Sequence, residues 1–270
     1  MKKKLLALAG TVVLALSMAA GCGASVSAQS LLQEADDNVK NAKSVDGHMK
    51  MDMNAVSDTV ESGETASADE SLTLGMDMDM QATQDPSAAY MKGKVSMLGM
   101  DIDTEIYTVP EDGQTCTYLG MLGQWMVEKS SAVEEAAQQL DGTSSSLLAH
   151  AKDLQVEKGT QDVDGKKAYI ITGTLQGEDL KDLADSAQGA MSSLTGTTED
   201  MDYSNLSVDV EYAVSVDDKM PLYVDLKFKG LAAEGVRFDT FNMRMDYKSF
   251  DSVEKIEVPA DVKEQAQDIS

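Results

Sequence analysis

Leu72-Thr73-Leu74-Gly75-Met76-Asp77-Met78-Asp79-Met80-Gln81-Ala82 is the stretch whose reading decides the fold. Apolar side chains occupy alternate positions (Leu72, Leu74, Met76, Met78, Met80, Ala82), and Thr73, Asp77, Asp79 and Gln81 fall between them. A period of two sends successive side chains to opposite faces of an extended strand, so this run predicts a long strand with one apolar and one acidic face. Working outward, Asp85-Pro86-Ser87 turns the chain, and Met91, Val95 and Met97 continue the alternation. A tight turn near Leu98-Gly99 leads to Met100, Ile102, Thr104 and Ile106, with Asp101, Asp103 and Glu105 opposite. Upstream, Met49, Met51 and Met53 alternate with Lys50, Asp52 and Asn54. Downstream, Pro110-Glu111-Asp112-Gly113 makes a further turn, and Tyr118, Trp125 and Val127 sit in a hairpin closed by Met121-Leu122-Gly123. The pattern predicts an antiparallel meander whose apolar face must cover something.

Helical spacing appears in four places. Leu31, Leu32, Ala35, Val39 and Ala42 predict a helix over 30–43 with Ser30 as its N-cap. Ala132, Val133, Ala136, Ala137 and Leu140 predict a second, Leu147, Leu148, Ala151 and Leu154 a third, and Leu180 through Met191 a fourth over 178–194. Between the third and fourth, a hairpin over 155–175 turns at Asp164-Gly165, with Ala168, Ile170 and Thr172 alternating. The segments 57–70 and 195–204 are polar connections. The last third returns to strands, through Leu206 to Val216, Leu222 to Phe228, and Val236 to Tyr247, and ends in a short polar helical tail. The whole reads as an α+β fold built on one long antiparallel sheet.

The N-terminus fixes location. Lys2, Lys3 and Lys4 precede an apolar run from Leu5 to Ala20 that stops at Ala19-Ala20-Gly21-Cys22, the form of a secretory signal with a lipoprotein cleavage site. This resembles a bacterial lipobox, which implies removal of residues 1–21 and a diacylglyceryl thioether on Cys22. Residues 22–29 then form a lipidated tether and 30–270 a single domain. Two acyl chains hold stably where one exchanges, since each buried methylene contributes about 0.8 kcal/mol. The signal holds three lysines and no acid, so its removal takes the net charge from -25 to -28. Such a chain repels nucleic acid and anionic headgroups, and a nucleic-acid role is set aside. With Cys22 used by the anchor, Cys116 has no disulfide partner and reads as a buried structural thiol.

Little points to catalysis or a cofactor. His48 and His150 are the two histidines, and neither sits in a nucleophile or metal-protease motif. Asp162-Val163-Asp164-Gly165 lacks the later ligands of a calcium loop and is explained by a hairpin turn. The Met-x-Met runs beside His48 have the softness that suits Cu(I), but most fall where alternation already demands an apolar residue. The expectation is no enzyme, no cofactor and no metal.

The order of elements, with the lipobox Ala19-Ala20-Gly21-Cys22, Glu105-Ile106-Tyr107 before Tyr118 and Gly123-Gln124-Trp125, Asp164-Gly165-Lys166-Lys167-Ala168-Tyr169, and the closing Phe250-Asp251-Ser252 with Val258-Pro259, resembles the LolA/LppX-like lipoproteins, most closely a branch from Gram-positive bacteria. The resemblance covers nearly all of the chain beyond the signal. It implies a half-barrel with helices packed on its concave face, and in known relatives that concavity holds acyl chains. Unbranched thioethers adapt to flexible ligands. The candidate cavity lining is therefore Met49, Met51, Met53, Leu74, Met76, Met78, Met80, Met91, Val95, Met97 and Ile102. The expected role is a monomeric, membrane-anchored, extracytoplasmic protein that binds or carries a hydrophobic or amphiphilic ligand. The alternative is a non-catalytic envelope interaction or sensing module with a filled core.

Overall fold

A computed structural model of the chain describes residues 26–57, 71–130, 147–176, 180, 201–202, 204–233 and 236–269. Helix α1 (Ala28–Asn41) leads into a meander of β1 (Ser44–Ser57), β2 (Ser71–Gln84), β3 (Ser87–Met97), β4 (Met100–Glu111), β5 (Gln114–Met121) and β6 (Gln124–Ser130). A short helical stretch at 147–149 and a 3₁₀ turn at Ala151–Asp153 precede β7 (Gln155–Val156), β8 (Gln161–Val163) and β9 (Lys166–Gln176). Then come β10 (Met201–Asp202), β11 (Ser207–Ser215), β12 (Pro221–Lys229), β13 (Ala232–Ala233), β14 (Val236–Phe250), α2 (Ala260–Gln265) and β15 (Gln267–Asp268). These strands form one long, curved, unclosed sheet in the order β15-β6-β5-β4-β3-β2-β1-β14-β12-β11-β9-β7, with few helices.

β1 joins the two halves of the sheet. On one side Met49, Met51 and Met53 face Met78, Met76 and Leu74 of β2, and on the other they face Met245, Met243 and Phe241 of β14. All of these side chains share the apolar face, where Met51, Met53, Met76 and Met78 are buried in one large core cluster. The same cluster takes in Leu31, Leu32 and Ala35 of α1, Leu147, Ala151 and Leu154, and Val208, Val210, Tyr212 and Val214 of β11. The core residues of the described chain run from Ala28 to Val262.

Two smaller clusters lie on the opposite face. Tyr107, Val109, Cys116, Tyr118 and Val127 pack under the C-terminal segment through Ile256, Val258 and Val262, and Ala168, Ile170, Ala213, Leu222 and Tyr223 pack together near the other edge. Strands β9 and β11 are thus buried on both faces, and β5 and β6 carry apolar side chains on both. That is why their alternation is weaker than that of β2.

The two-residue hairpin turns follow the sequence closely. Leu98-Gly99, Asp112-Gly113, Leu122-Gly123 and Asp164-Gly165 each place both residues at positive φ, as turns compatible with the right-handed twist of paired strands require. The change of phase between Phe238 and Phe241 is a β-bulge: β1 pairs Asn54 with Thr240 and Ala55 with Phe238, leaving Asp239 over. The bulge keeps both phenylalanines on the apolar side.

Several expectations are corrected. The first helix starts at Ala28 and not at residue 30, because Ser27 is its N-cap: Ser27 Oγ accepts from the Ser30 amide at 3.1 Å while Ser30 Oγ accepts from the Ser27 amide at 3.3 Å. Ser30 is the reciprocal partner in a capping box, and the earlier start brings Ala28 into the core. The segment read as one helix over Leu147 to Leu154 is instead two short pieces, since Leu154 leaves the helical region to enter β7. The tail contains β15, which pairs parallel with β6 at Met126 and Val127. The helices expected at 132–140 and 178–194, the latter apart from Leu180, which is buried in the core cluster, the polar connections at 58–70 and 195–200, and the signal with Cys22 lie outside the described residues. Among the described residues, α1 and the helical pieces near Leu147 contribute side chains to the core cluster.

Gly93 marks the tightest strand contact. An added Cβ would lie 2.0 Å from the Asp77 carbonyl oxygen and 2.7 Å from the Met78 Cα, so β2 itself would have to move. Gly93→Ala is expected to destabilise the fold by about 2 to 3 kcal/mol, in the range of overpacked cores. Urea unfolding would measure it, and an unchanged midpoint would refute the close approach.

Candidate functional site

The apolar face is continuous across the sheet, and cross-strand register builds it in rows. One row runs Met243, Met51, Met76, Val95, Ile102, and the next runs Met245, Met49, Met78, Gly93, Thr104, Met121. A third runs Tyr247, Gly47, Met80, Met91, Ile106, Leu119, Met126. Opposed pairs on one face stand about 5 Å apart at Cβ, so each row is a strip of contiguous apolar surface.

Burial divides this face in two. Of the residues expected to line a cavity, Met51, Met53, Leu74, Met76, Met78, Met80 and Val95 are buried in the core cluster with α1. Met49 and Met91 are half-buried against that cluster. Ile102 is half-buried outside it, and Met97 is exposed at the end of β3. Toward β6 the face stays apolar but less covered: Ile102, Ile106, Leu119, Met121 and Met126 are all half-buried. Of these five only Ile106 packs against a described core cluster. Leu119, Met121 and Met126 were not among the sequence candidates. Their signal was the second alternating set of β5 and β6, which is masked by Tyr118, Trp125 and Val127 facing the other way.

His48 does not join the methionines. It lies on the polar face, its Nδ1 3.0 Å from Asp79 Oδ1 and its Nε2 3.2 Å from Asp77 Oδ1, and Lys248 pairs with the same Asp79 oxygen. The Met-x-Met thioethers of β1 and β2 thus lie on the face opposite His48. Among the described residues no group of three His, Cys, Asp or Glu side chains is arranged to hold a metal ion. A shallow pocket of about 160 Å³ on the polar side, bounded by Asp46, Asp79, Gln81, Tyr90 and Lys248, is too small for an acyl chain.

On the outer face of β3 to β6 the electrostatics centre on two carboxylates. Tyr90 and Tyr107 both donate to Glu105 Oε1, at 2.9 and 2.8 Å, and Lys92 lies 3.3 Å from Oε2. Burial acts to raise the Glu105 pKa, but the hydrogen bonds from Tyr107, Tyr90 and Lys92 outweigh it and hold the carboxyl below the usual range. Burial and the same carboxylate push Tyr90 up to about 12. Glu111 repeats the arrangement with Tyr118 at 2.8 Å and Lys263 of α2, which pins the C-terminal segment over β5. Its carboxyl too is held low against the effect of burial. These groups stitch the outer cluster. They are not aimed at a nucleophile.

The chain belongs to the family of unknown function DUF6612, whose model matches residues 27–267. Comparison with curated proteins found no match. Among solved structures, LprF from Mycobacterium bovis is similar with a TM-score of 0.47 and 14% identity, over 86% of this chain and 97% of that one. The β-barrel-like protein of domain of unknown function DUF1849 from Brucella abortus is similar with a TM-score of 0.25 and 14% identity, over 79% of this chain and 100% of that one.

A carboxyl whose folded pKa is depressed stabilises the fold fully above its ordinary value near 4.5, and that contribution disappears as pH falls through the lower folded value. Urea unfolding between pH 7 and pH 3 should therefore show a smaller acid loss for Glu105→Gln than for the unsubstituted chain. At pH 7 the variant should be less stable by roughly 1 to 3 kcal/mol, the range for hydrogen bonds to a charged group. Parallel acid limbs would remove Glu105 from this role.

Proposed function

We propose that this chain is a lipoprotein tethered by acyl chains on Cys22 to the extracytoplasmic face of a membrane. On this reading its LolA/LppX-like half-barrel binds a hydrophobic or amphiphilic ligand without catalysing a reaction. The observation that carries the reading is the half-buried apolar strip of Ile102, Leu119, Met121 and Met126, continuous with the packed core yet outside the described core clusters. Burying apolar surface there contributes about 25 cal/mol per square ångström, so an acyl chain laid along two or three strands gains several kcal/mol without any polar partner. Two of the four strip residues are methionines, which repack around chains of differing length and unsaturation. The binding is passive, and the acidic opposite face keeps the tethered domain soluble.

A second reading is favoured by a different observation. Met51, Met53, Met76, Met78 and Met80 are buried in one core cluster with residues of α1, and a filled core suits an interaction or sensing module of the envelope.

Native mass spectrometry of the chain from Cys22 onward, with organic extraction, separates the two. A bound amphiphile, lost at least tenfold in Leu119→Glu and Met126→Glu, is the expected result. A clean unliganded mass, with no uptake of a fluorescent fatty acid, would leave the interaction module. The anchor is tested on its own: expression of the whole chain should yield a thioether-linked diacylglycerol on Cys22, and Cys22→Ser should release the protein from the membrane fraction.

A further inference from the structure

The exposed large apolar residues of the sheet are not scattered. Leu72, Met97, Leu98 and Met100 sit together where β2 begins and β3 turns into β4, with Leu74, Met97 and Met100 in one cross-strand row. The Leu98 amide donates to the Thr73 carbonyl at 3.3 Å, which fixes the turn beside Leu72. Leu98 is 63% exposed and Met100 60%. Leu122, at the tip of the next hairpin on the same end of the sheet, is 80% exposed.

The turn geometry makes this costly twice over. Leu98 has φ 52° and Leu122 φ 51°, each followed by a glycine at positive φ. In that first turn position Asn, Asp and Gly are favoured, because an L side chain with a Cβ crowds the left-handed backbone. The chain itself supplies the contrast: the equivalent turns at Asp112-Gly113 and Asp164-Gly165 are at the opposite end and use aspartate. Leucine at both tips of one end therefore serves neither the turn nor the core.

The geometry points to these two hairpin tips as a membrane contact: Leu98 and Leu122, with Met100 beside the first, dip into a zwitterionic lipid surface. This rests on the tethered reading above, which holds the domain next to a bilayer and raises the effective concentration of a weak contact. The tips are convex apices and not a flat patch or a socket, and a fluid bilayer conforms to such a shape. Register places the second tip level with Thr104, four positions short of Met100 along β4, or roughly 13 Å. A plane meeting both tips is thus inclined to the strands. The net charge of -25 opposes anionic headgroups, which selects a neutral surface.

The test is flotation of the unacylated chain from Cys22 onward with phosphatidylcholine vesicles. Its outcome does not depend on whether Cys22 is lipidated in cells, which mass analysis of Cys22 reads separately. The unsubstituted chain should float. Leu98→Asn together with Leu122→Asn should bind about tenfold more weakly per leucine removed. Its thermal midpoint should be unchanged or raised, because asparagine suits the left-handed turn. Asp112→Asn with Asp164→Asn should bind like the unsubstituted chain, and adding phosphatidylglycerol at low salt should weaken binding. Equal flotation of the leucine variant, no flotation of the unsubstituted chain at millimolar lipid, or a dimer that the leucine substitutions abolish would each overturn the assignment.

Discussion

The structure depends on β1 being paired on both sides. Its methionines stand between Met243 and Met245 of β14 and Met76 and Met78 of β2, and this contact converts two separate meanders into one sheet. Because β1 follows α1 after a turn of two residues, the helix is delivered onto the apolar face at the seam. Lys43 and Lys40 at its C-terminal end accept bonds from the Gln84 amide and side chain, and Asn38 donates to the Asp218 carbonyl. The helix is thereby held against both halves at once, and the core beneath it draws on strands from β2 to β11.

A sheet this long cannot be solvated on one whole face. The polar side of β14, β1 and β2 is handled by charge: Arg244 clasps Asp246 and lies 4.1 Å over the Tyr223 ring, and Lys248 and His48 share Asp79. Such exposed pairs contribute little to stability individually, but they leave no row of like charges unanswered. Toward β6 the same side turns apolar, and there the chain spends its last residues as a cover, with Ile256, Val258 and Val262 closing over Tyr107 and Tyr118.

The extended strands were legible in the sequence, and the reason is chemical contrast. In β2 every inward residue is apolar and most outward ones are acidic or neutral polar, so the period of two needs no further evidence. The four glycine-containing hairpin turns were legible for the same local reason. What was not legible was pairing between distant strands: nothing in Met49 to Met53 says that their second partner lies near Met243. Nor did the sequence separate covered from uncovered apolar surface. The cavity candidates were chosen from the strands with the cleanest alternation, and most of those residues are packed into the large core cluster. The less covered strip runs through β5 and β6, which are apolar on both faces and so show no clean period. Ser27 and Ser30 were indistinguishable as caps, since either serine precedes the same apolar residues.

The seam also sets an order of assembly. A chain folding from its N-terminus can complete the β1 to β6 meander early, because each strand pairs with the next in sequence and two-residue turns join them from β2 onward. The outer edge of β1 then stays unpaired until Val236 to Phe250 arrives, almost two hundred residues later. Long-range pairings of this kind close slowly, and an open, thioether-rich edge is a site for unwanted strand addition in the meantime. The vulnerable interval is set by how quickly this late strand is delivered.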